Sequence, residues 1–290
     1  MSSLRCQRTI AQRVAVTGFG YWSGQDVRVE FRPAKAGCGV TFVRGDLSQP
    51  VRLPVDVGCR VSVPRRTCLQ VGDVRVEMVE HVLAALGGLG IDNCDVWVDA
   101  AELPGCDGSS LAFVEALDRA GVVDQGLPVR PLQVDRQLRL GDEQAWIEIN
   151  PPRIDGLSIE YRLDYGPGPI GRQALTVEIT PETFRQELAS CRTFLLEKEA
   201  RLLMSQGLGE RVTPSDLLIF NSDGPIANSL RFVDECVRHK ILDVVGDLAL
   251  ANCPIVGHVI ANRSGHSLNA ALVASVVKQS GNLLATGRCA

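Results

Sequence analysis

Three polar residues, His239, Asp243 and Asp247, are spaced for joint chemistry. They lie in residues 234–250, DECVRHKILDVVGDLAL, where intervals of four place all three on one face of a helix. The apolar residues of this stretch are also helically spaced, which predicts a mostly buried helix with its polar groups turned into a cleft. Buried carboxylates beside an imidazole need a partner, and a metal ion is the simplest one. The same spacing is also typical of a weak ion pair on an exposed helix, so other residues must decide.

A second polar pair, Glu80 and His81, begins another apolar segment with helical spacing. If His81 joins His239 and Asp243, three protein ligands hold a metal and leave one position for water, as in catalytic zinc sites. Glu80 would then be the base that takes the proton of that water. Taken alone, the pair also fits a helix N-terminal acid beside a packed core histidine. Two histidines and one carboxylate suit ferrous iron as well as zinc.

The chain has two further histidines, His258 and His266. His266 lies in RSGHSLN, a tight turn before the last predicted helix, where it is available as a general acid for a leaving group. We expect Asp247 to bind its other ring nitrogen and to favour its protonated form. The alternative role for His266 is capping of that helix. His258 stands inside an apolar strand, so we predict a packed residue without a catalytic role.

Composition excludes several classes of protein. Of 290 residues, 45% are apolar and 22% charged, which is ordinary for a globular protein. A net charge of −4 provides no basic surface for nucleic acid, and nucleic acid is therefore not an expected partner. No run approaches the roughly 18 apolar residues of a membrane span, and the N-terminus MSSLRCQRTIAQ has no apolar signal core. The sequence carries no indication of an oligomeric state.

The ten cysteines are scattered along the chain without a CxxC pair. A structural zinc finger needs paired cysteine spacing, so this class of site is not supported. We interpret the cysteines as free thiols in a reducing compartment, which predicts a cytoplasmic location.

Hydrophobic periodicity and turn residues predict a mixture of strands and helices. Ser109 or Ser110 is expected to cap one helix, and Thr180 another that has Pro181 at its first position. The predicted strands are 13–20, 26–31, 39–44, 60–63, 73–76, 94–100, 145–149, 157–164, 175–179 and 254–261. The predicted helices are 80–89, 111–120, a segment after Thr180, 196–206, 234–250 and 267–278.

Each half of the chain ends with a predicted helix, strand and helix. Because the strands come in runs and do not alternate with helices throughout, we interpret the chain as a weak duplication of an α+β unit. The boundary is expected in residues 121–131, GVVDQGLPVRP, where the periodicity breaks. This divides the chain into domains 1–125 and 126–290, with the site expected in a cleft between them.

A set of short motifs in a fixed order resembles a known family. The motifs are QRT at 7–9, TGFG at 17–20, VEH at 79–81 followed by AAL and GLGIDN, DGSS at 107–110, RTF at 192–194, LRFVDECVRHKILDVVGDL at 230–248 and SGH at 264–266. Together they resemble the UDP-3-O-acyl-N-acetylglucosamine deacetylases, the zinc amidases that commit cells to lipid A synthesis. The resemblance runs nearly from end to end of the chain.

The resemblance implies two similar α+β domains, each a β-sheet packed on a pair of α-helices, with small inserts and the zinc between the domains. It implies His81, His239 and Asp243 as zinc ligands. It further implies Glu80 as general base, His266 as general acid, Asp247 as the partner of His266, Thr193 as a donor to the tetrahedral oxyanion, and Phe194 and Lys240 as substrate contacts.

Several positions depart from the family pattern. Trp22 stands where the family usually has a histidine, Asn150 where a phosphate-contacting lysine is expected, and residues 210–214 (ERVTP) replace a glycine-rich segment. Losing a cation removes a charge-assisted contact worth roughly 1.5–3 kcal/mol to a diphosphate. Arg211 or Arg263 is a candidate to compensate for that loss.

The family's small insert, between residues 194 and 220 here, is expected to form an apolar passage for the acyl chain. Its helix carries Leu195, Leu196, Leu202, Leu203 and Met204, interrupted by charged residues. An amphipathic packing helix explains this pattern as well as a lipid passage does.

The expected function is therefore zinc-dependent hydrolysis of the N-acetyl group of UDP-3-O-acyl-N-acetylglucosamine, a small acylated UDP-sugar, giving acetate and a free amine. One alternative is a paralogue acting on a different N-acylated substrate, which the three departures favour. The other is a non-catalytic binding protein of the same fold, which the complete set of base, acid and ligands argues against.

Overall fold

A computed structural model describes residues 5–279 of the chain, and its architecture is α+β. The strands are β1 Cys6–Ile10, β2 Val14–Phe19, β3 Asp26–Pro33, β4 Val40–Arg44, β5 Val51–Pro54, β6 Arg60–Val63, β7 Arg66–Val71, β8 Val74–Glu77, β9 Cys94–Val98, β10 Val122–Pro128, β11 Leu132–Gln133, β12 Leu138–Gly141, β13 Trp146–Asn150, β14 Leu157–Asp164, β15 Arg172–Ile179, β16 Phe194–Leu196, β17 Leu218–Phe220 and β18 Ile255–Asn262. The helices are α1 Glu80–Gly88, α2 Leu111–Ala120, α3 Pro181–Thr183 with a wider turn over Phe184–Leu188, α4 Glu197–Ser205, α5 Glu235–Leu248 and α6 His266–Gln279. Residues 1–4 and 280–290, which include Cys289 and the outer ends of the two predicted domains, lie outside the described residues.

Two sheets repeat one strand arrangement. The first has the order β2-β3-β9-β4-β5 and the second β12-β13-β18-β14-β15, with β11 added beside β18. In each sheet the last strand of the set, β9 or β18, is central, antiparallel to one neighbour and parallel to the other. Each of these central strands lies between two helices in the chain, α1 and α2 in the first case and α5 and α6 in the second. The predicted helix, strand, helix duplication is thus present in the topology.

Alternation along the strands decides which face of a sheet is buried. In β3, Val27, Val29 and Phe31 point into the core, while Arg28 and its polar neighbours point outward. This period of two gives the sheet one apolar face, which helices must cover. The helix α2 packs on β2, and α5 and α6 pack on strands of the second sheet.

The helices α1 and α5 pack so closely that their backbones are in contact. A Cβ atom at Gly246 would lie 2.1 Å from the carbonyl oxygen of Glu80, so only glycine fits there. This contact brings the start of α1 beside the C-terminal half of α5. The polar residues of both helices therefore meet at one place.

The observed elements differ in part from the predicted ones. The segment 121–131, expected to contain the domain boundary, also contains the unpredicted strand β10, which pairs with β1 in an antiparallel ladder. Of the two serines expected to cap α2, Ser109 does so, because its Oγ accepts from the Leu111 amide, whereas the Ser110 hydroxyl donates to the carbonyl oxygen of His81. The strands β1, β5, β7, β10, β11, β12, β16 and β17 were not predicted. Five of them (β5, β11, β12, β16 and β17) have four residues or fewer, and β1 and β10 pair with each other across more than a hundred residues.

In residues 5–279, no helix is both long enough and apolar enough to cross a membrane.

Candidate metal centre and active site

Three buried side chains converge where α1 meets α5. One potential ligand atom from each of His81, His239 and Asp243 lies within 4.8 Å of the other two. His239 Nε2 is 3.3 Å from Asp243 Oδ1, and His81 Nε2 is 3.8 Å from the same oxygen. Within the described part of the chain, this is the one group with such geometry. Two imidazoles and a carboxylate at these distances form a donor set that fits a divalent transition metal.

The state of each donor suits coordination. The Nδ1–H of His239 donates to the carbonyl oxygen of Cys191 at 3.0 Å, which leaves the lone pair on Nε2. Burial and the neighbouring His239 lower the pKa of His81 to about 3, so this imidazole is neutral. Burial would raise the pKa of Asp243, but the ammonium of Lys240 at 2.7 Å holds it well below its usual range. All three donors are therefore ready to bind a cation.

Glu80 lies beside these donors and lines the same cavity. Its Oε2 accepts a hydrogen bond of 2.9 Å from the backbone N–H of Thr67. Burial raises the pKa of Glu80 to about 7, against the opposing effect of the His266 charge. A buried carboxylate with a pKa near neutrality is suited to accept a proton and to release it again.

His266 faces the cavity from the first residue of α6. Its Nδ1–H donates to Asp247 Oδ2 at 2.8 Å, and Asp247 is fully buried. Although burial opposes the charge, Asp247 raises the pKa of His266 to about 9. His266 is therefore protonated at neutral pH and can donate a proton from Nε2.

The walls of a cavity of about 790 Å³ surround this group. Thr193, Phe194 and Lys240 line the cavity, as do the first residues of α6. Phe194 packs edge-on against the His239 ring, with a centroid distance of 6.3 Å. Arg263, also predicted to contact substrate, is exposed and does not line the cavity. Eight of the remaining wall residues are apolar and come from the insert: Leu195, Ala200, Leu203, Met204, Leu208, Val212, Leu217 and Ile219.

Two of the three positions that depart from the family pattern adjoin the cavity. Trp22 lines it, and the guanidinium of Arg66 lies 4.6 Å from its ring centroid. In the segment 210–214, Val212 lines the cavity, whereas Arg211 donates to Asp26 at 2.8 Å and stacks on Phe19. Asn150 donates to Glu148 and does not line the cavity.

Sequence reasoning missed the residues that hold the acid and base in place. Thr67 donates its backbone N–H to Glu80 and its hydroxyl to Asp247 at 2.6 Å, so one residue joins both groups. Asn269 also donates to Asp247, at 2.8 Å. Thr67 lies on β7, a strand that was not predicted, and no motif marks it. Asn269 follows His266 by three residues on α6, and this helical spacing could have indicated that the two side chains lie on the same face.

The protein has a buried group of two histidines and one aspartate, and a carboxylate and a protonated histidine lie beside it. This combination of possible metal ligands, base and acid defines the class of candidate metallohydrolases. The family model for UDP-3-O-acyl N-acetylglycosamine deacetylase matches residues 7–278, and the chain belongs to this family. The family is one of metalloenzymes, and His81, His239 and Asp243 form the matching group here.

Individual relatives match over nearly the whole chain. A UDP-3-O-acyl-N-acetylglucosamine deacetylase of Anaeromyxobacter sp. (strain Fw109-5) is 37% identical over 281 residues, covering 95% of this chain and 90% of the relative. The protein of the same name from Pasteurella multocida (strain Pm70) is 37% identical over 280 residues, covering 93% and 90%. That from Brucella ovis is 36% identical over 273 residues, covering 93% and 95%. The resemblance found in the sequence is confirmed.

Proposed function

We propose that the protein hydrolyses the N-acetyl amide of UDP-3-O-acyl-N-acetylglucosamine to acetate and a free amine, a reaction of lipid A biosynthesis. The family and the names of the relatives support this substrate. The observation that carries the proposal is the convergence of a metal-ligand group, a carboxylate of raised pKa and a protonated histidine on one cavity. Binding alone does not require these three groups together.

We propose zinc as the metal, held by His81, His239 and Asp243. A zinc ion in such a site supplies a Lewis acid for a carbonyl oxygen and lowers the pKa of water toward ~7. The same donors also accept ferrous iron, so elemental analysis of the purified protein decides between the two metals.

Glu80 and His266 divide the proton transfers in this proposal. Glu80, in its charged form, takes a proton from the attacking water. His266 gives a proton to the nitrogen of the leaving amine, because Asp247 keeps it charged. Thr193 is proposed to donate its hydroxyl to the oxyanion, which its place in the cavity wall supports.

The remaining walls suit an acylated nucleotide sugar. The apolar residues of the insert can bury the acyl chain, which supports the lipid passage over a packing helix. Lys240 provides a half-buried positive charge at the same cavity. Phe194 is proposed to contact the sugar, and Arg263 to contact the part of the nucleotide that projects beyond the walls.

Domain division and location are proposed on the same basis. Two separate sheets of equal strand order support domains 1–125 and 126–290, although β10 spans that boundary. A cytoplasmic location is supported by four buried thiols that form no disulfide: Cys68, Cys94, Cys191 and Cys236.

The test is release of acetate from UDP-3-O-acyl-N-acetylglucosamine by zinc-loaded protein, with His239→Ala as the control. Turnover that disappears in the control supports the proposal. A wild-type protein that binds one zinc but releases no acetate would refute it. That result would favour a different N-acylated substrate, since Arg211 is already bound to Asp26 and Asn150 lies outside the cavity walls.

A further inference from the structure

A fourth polar residue continues the row of α5 that carries the metal ligands. Glu235, His239, Asp243 and Asp247 follow one another at intervals of four and are all buried. The last three have places in the proposed chemistry, whereas Glu235 does not line the cavity. Its exposure is zero, so the carboxylate needs a compensating partner.

Arg192 is that partner. Its Nε donates to Glu235 Oε1 at 2.8 Å and its Nη2 to Oε2 at 3.0 Å, which makes a two-pronged ion pair. The backbone N–H of Arg192 also donates to Oε1, and that of Arg231 to Oε2. The guanidinium further donates to Asn228 Oδ1 and to the carbonyl oxygen of Ser229. Both the side chain and the backbone of residue 192 are thus held against the first turn of α5.

The two neighbours of Arg192 in the chain both reach the active site. The carbonyl oxygen of Cys191 accepts the Nδ1–H of His239 at 3.0 Å. Thr193 lines the cavity, and its N–H donates to the carbonyl oxygen of Gly108 at 2.7 Å. A shift of residue 192 relative to α5 would therefore move a hydrogen bond on a metal ligand and a wall residue together.

We propose that Arg192 and Glu235 are positioning residues, which set the Cys191 carbonyl against His239 and so fix its Nδ1–H tautomer with Nε2 directed to the metal. The catalytic part of this inference, the placing of Thr193, rests on the proposed function. A buried ion pair is seldom worth more to stability than a well-packed apolar pair of similar volume. Its directional bonds do give a fixed geometry, and a histidine ligand depends on the group that binds its other nitrogen.

The first test is Glu235→Gln, with Asp92→Asn as a matched control. Asp92 also accepts a two-pronged bond from an arginine, Arg5, and a backbone N–H, from Arg8, but lies away from the cavity. Zinc affinity is measured by competition with a chelator, and the His239 tautomer of the metal-free protein by imidazole ¹⁵N shifts. We expect Glu235→Gln to weaken zinc binding about tenfold or more and to mix the tautomers, and Asp92→Asn to change neither.

The second test is the double variant Arg192→Met with Glu235→Leu. It should still fold, because apolar residues of similar volume replace the whole ion pair and no buried charge is left unpaired. In folded protein, shown by circular dichroism, zinc affinity should again fall about tenfold or more. Unchanged affinity and an unchanged tautomer in a folded variant would overturn the inference. Neither readout needs the substrate, so a wild-type protein that binds zinc without releasing acetate would refute the proposed function alone.

Discussion

The charge of Asp247 should control how the reaction rate falls at alkaline pH. Asp247 is fully buried, accepts from His266 at 2.8 Å and is the main cause that raises the pKa of His266. Asp247→Asn removes the charge with almost no change in volume. We expect the pKa of His266 to fall, because burial, which opposes the imidazolium, would then act with less compensation.

The size of the effect follows from the raised pKa. His266 has a pKa of about 9 against an ordinary 6.5, and each unit is worth about 1.4 kcal/mol, so the protonated form is favoured by roughly 3–4 kcal/mol. If the variant returns to the ordinary value, the protonated fraction at pH 8 falls about thirtyfold, whereas at pH 6 it changes by less than about a third. The loss of rate should therefore be slight at pH 6, about fourfold at pH 7 and largest at alkaline pH.

The assay measures kcat for acetate release between about pH 5.5 and about pH 9.5, a range that includes the expected pKa of His266 in both proteins. Thr67→Val is the control, because it removes another hydrogen bond to Asp247, that of the Thr67 hydroxyl, and leaves the charge. The control should keep its alkaline limb near the wild-type position. If Asp247→Asn instead lowers kcat by the same factor at every pH and leaves the alkaline limb of the profile in place, the assignment of His266 as the acid is refuted.

Stability provides an independent check of the same pair. The folded pKa of His266 lies above its unfolded value, so its contribution to the free energy of unfolding is fully present below pH 6.5 and is lost as pH rises through about 9. Denaturant titrations of the metal-free proteins should show this loss in the wild type and a smaller one in Asp247→Asn. Parallel pH profiles of the two proteins would contradict the raised pKa.

Three further predictions concern the base, the metal and the helix contact. Glu80→Gln should lower kcat about a hundredfold to ten-thousandfold and leave zinc content unchanged by elemental analysis, whereas an equal loss of zinc would argue against a role as base. Chelation should destabilise the protein, and zinc at about 100 times its Kd should restore about 2.7 kcal/mol in denaturant titrations; no dependence on zinc would count against the ligand set. Gly246→Ala should cost roughly 1–3 kcal/mol and reduce activity, because its Cβ would lie 2.1 Å from the Glu80 carbonyl oxygen. Gly87→Ala, whose nearest neighbour would be 3.8 Å away, should instead stabilise α1 by about 0.5–1 kcal/mol. Similar melting temperatures for the two variants would show that the helices do not meet so closely.

The helices were the most predictable part of this fold. The predicted helices 111–120 and 234–250 correspond to α2 Leu111–Ala120 and α5 Glu235–Leu248. Helical periodicity is local, so a window of about fifteen residues contains the information needed to assign it. Strands that pair over long distances were harder, as β1 and β10 show, because neither is stable without a partner more than a hundred residues away.

The substrate contacts divide in the same way. Phe194 and Lys240 were predicted from motifs, and both line the cavity, whereas Arg263 stands close to His266 in the chain yet is exposed outside it. Nearness in sequence does not fix the direction of a side chain in a turn. Arg211 shows the same limit, since its bond to Asp26 joins residues 185 positions apart.

The sequence by itself determined the row of polar residues on α5, the polar start of α1 and the family, because residue types and short spacings are enough for each. The tertiary structure alone decided that these two faces meet, through the close contact of Gly246 with Glu80. It also decided the supports from Thr67, Cys191 and Arg192, whose partners lie between 13 and 180 residues away. The raised pKa values of Glu80 and His266 depend on those neighbours and on burial, which are properties of packing and not of any local pattern.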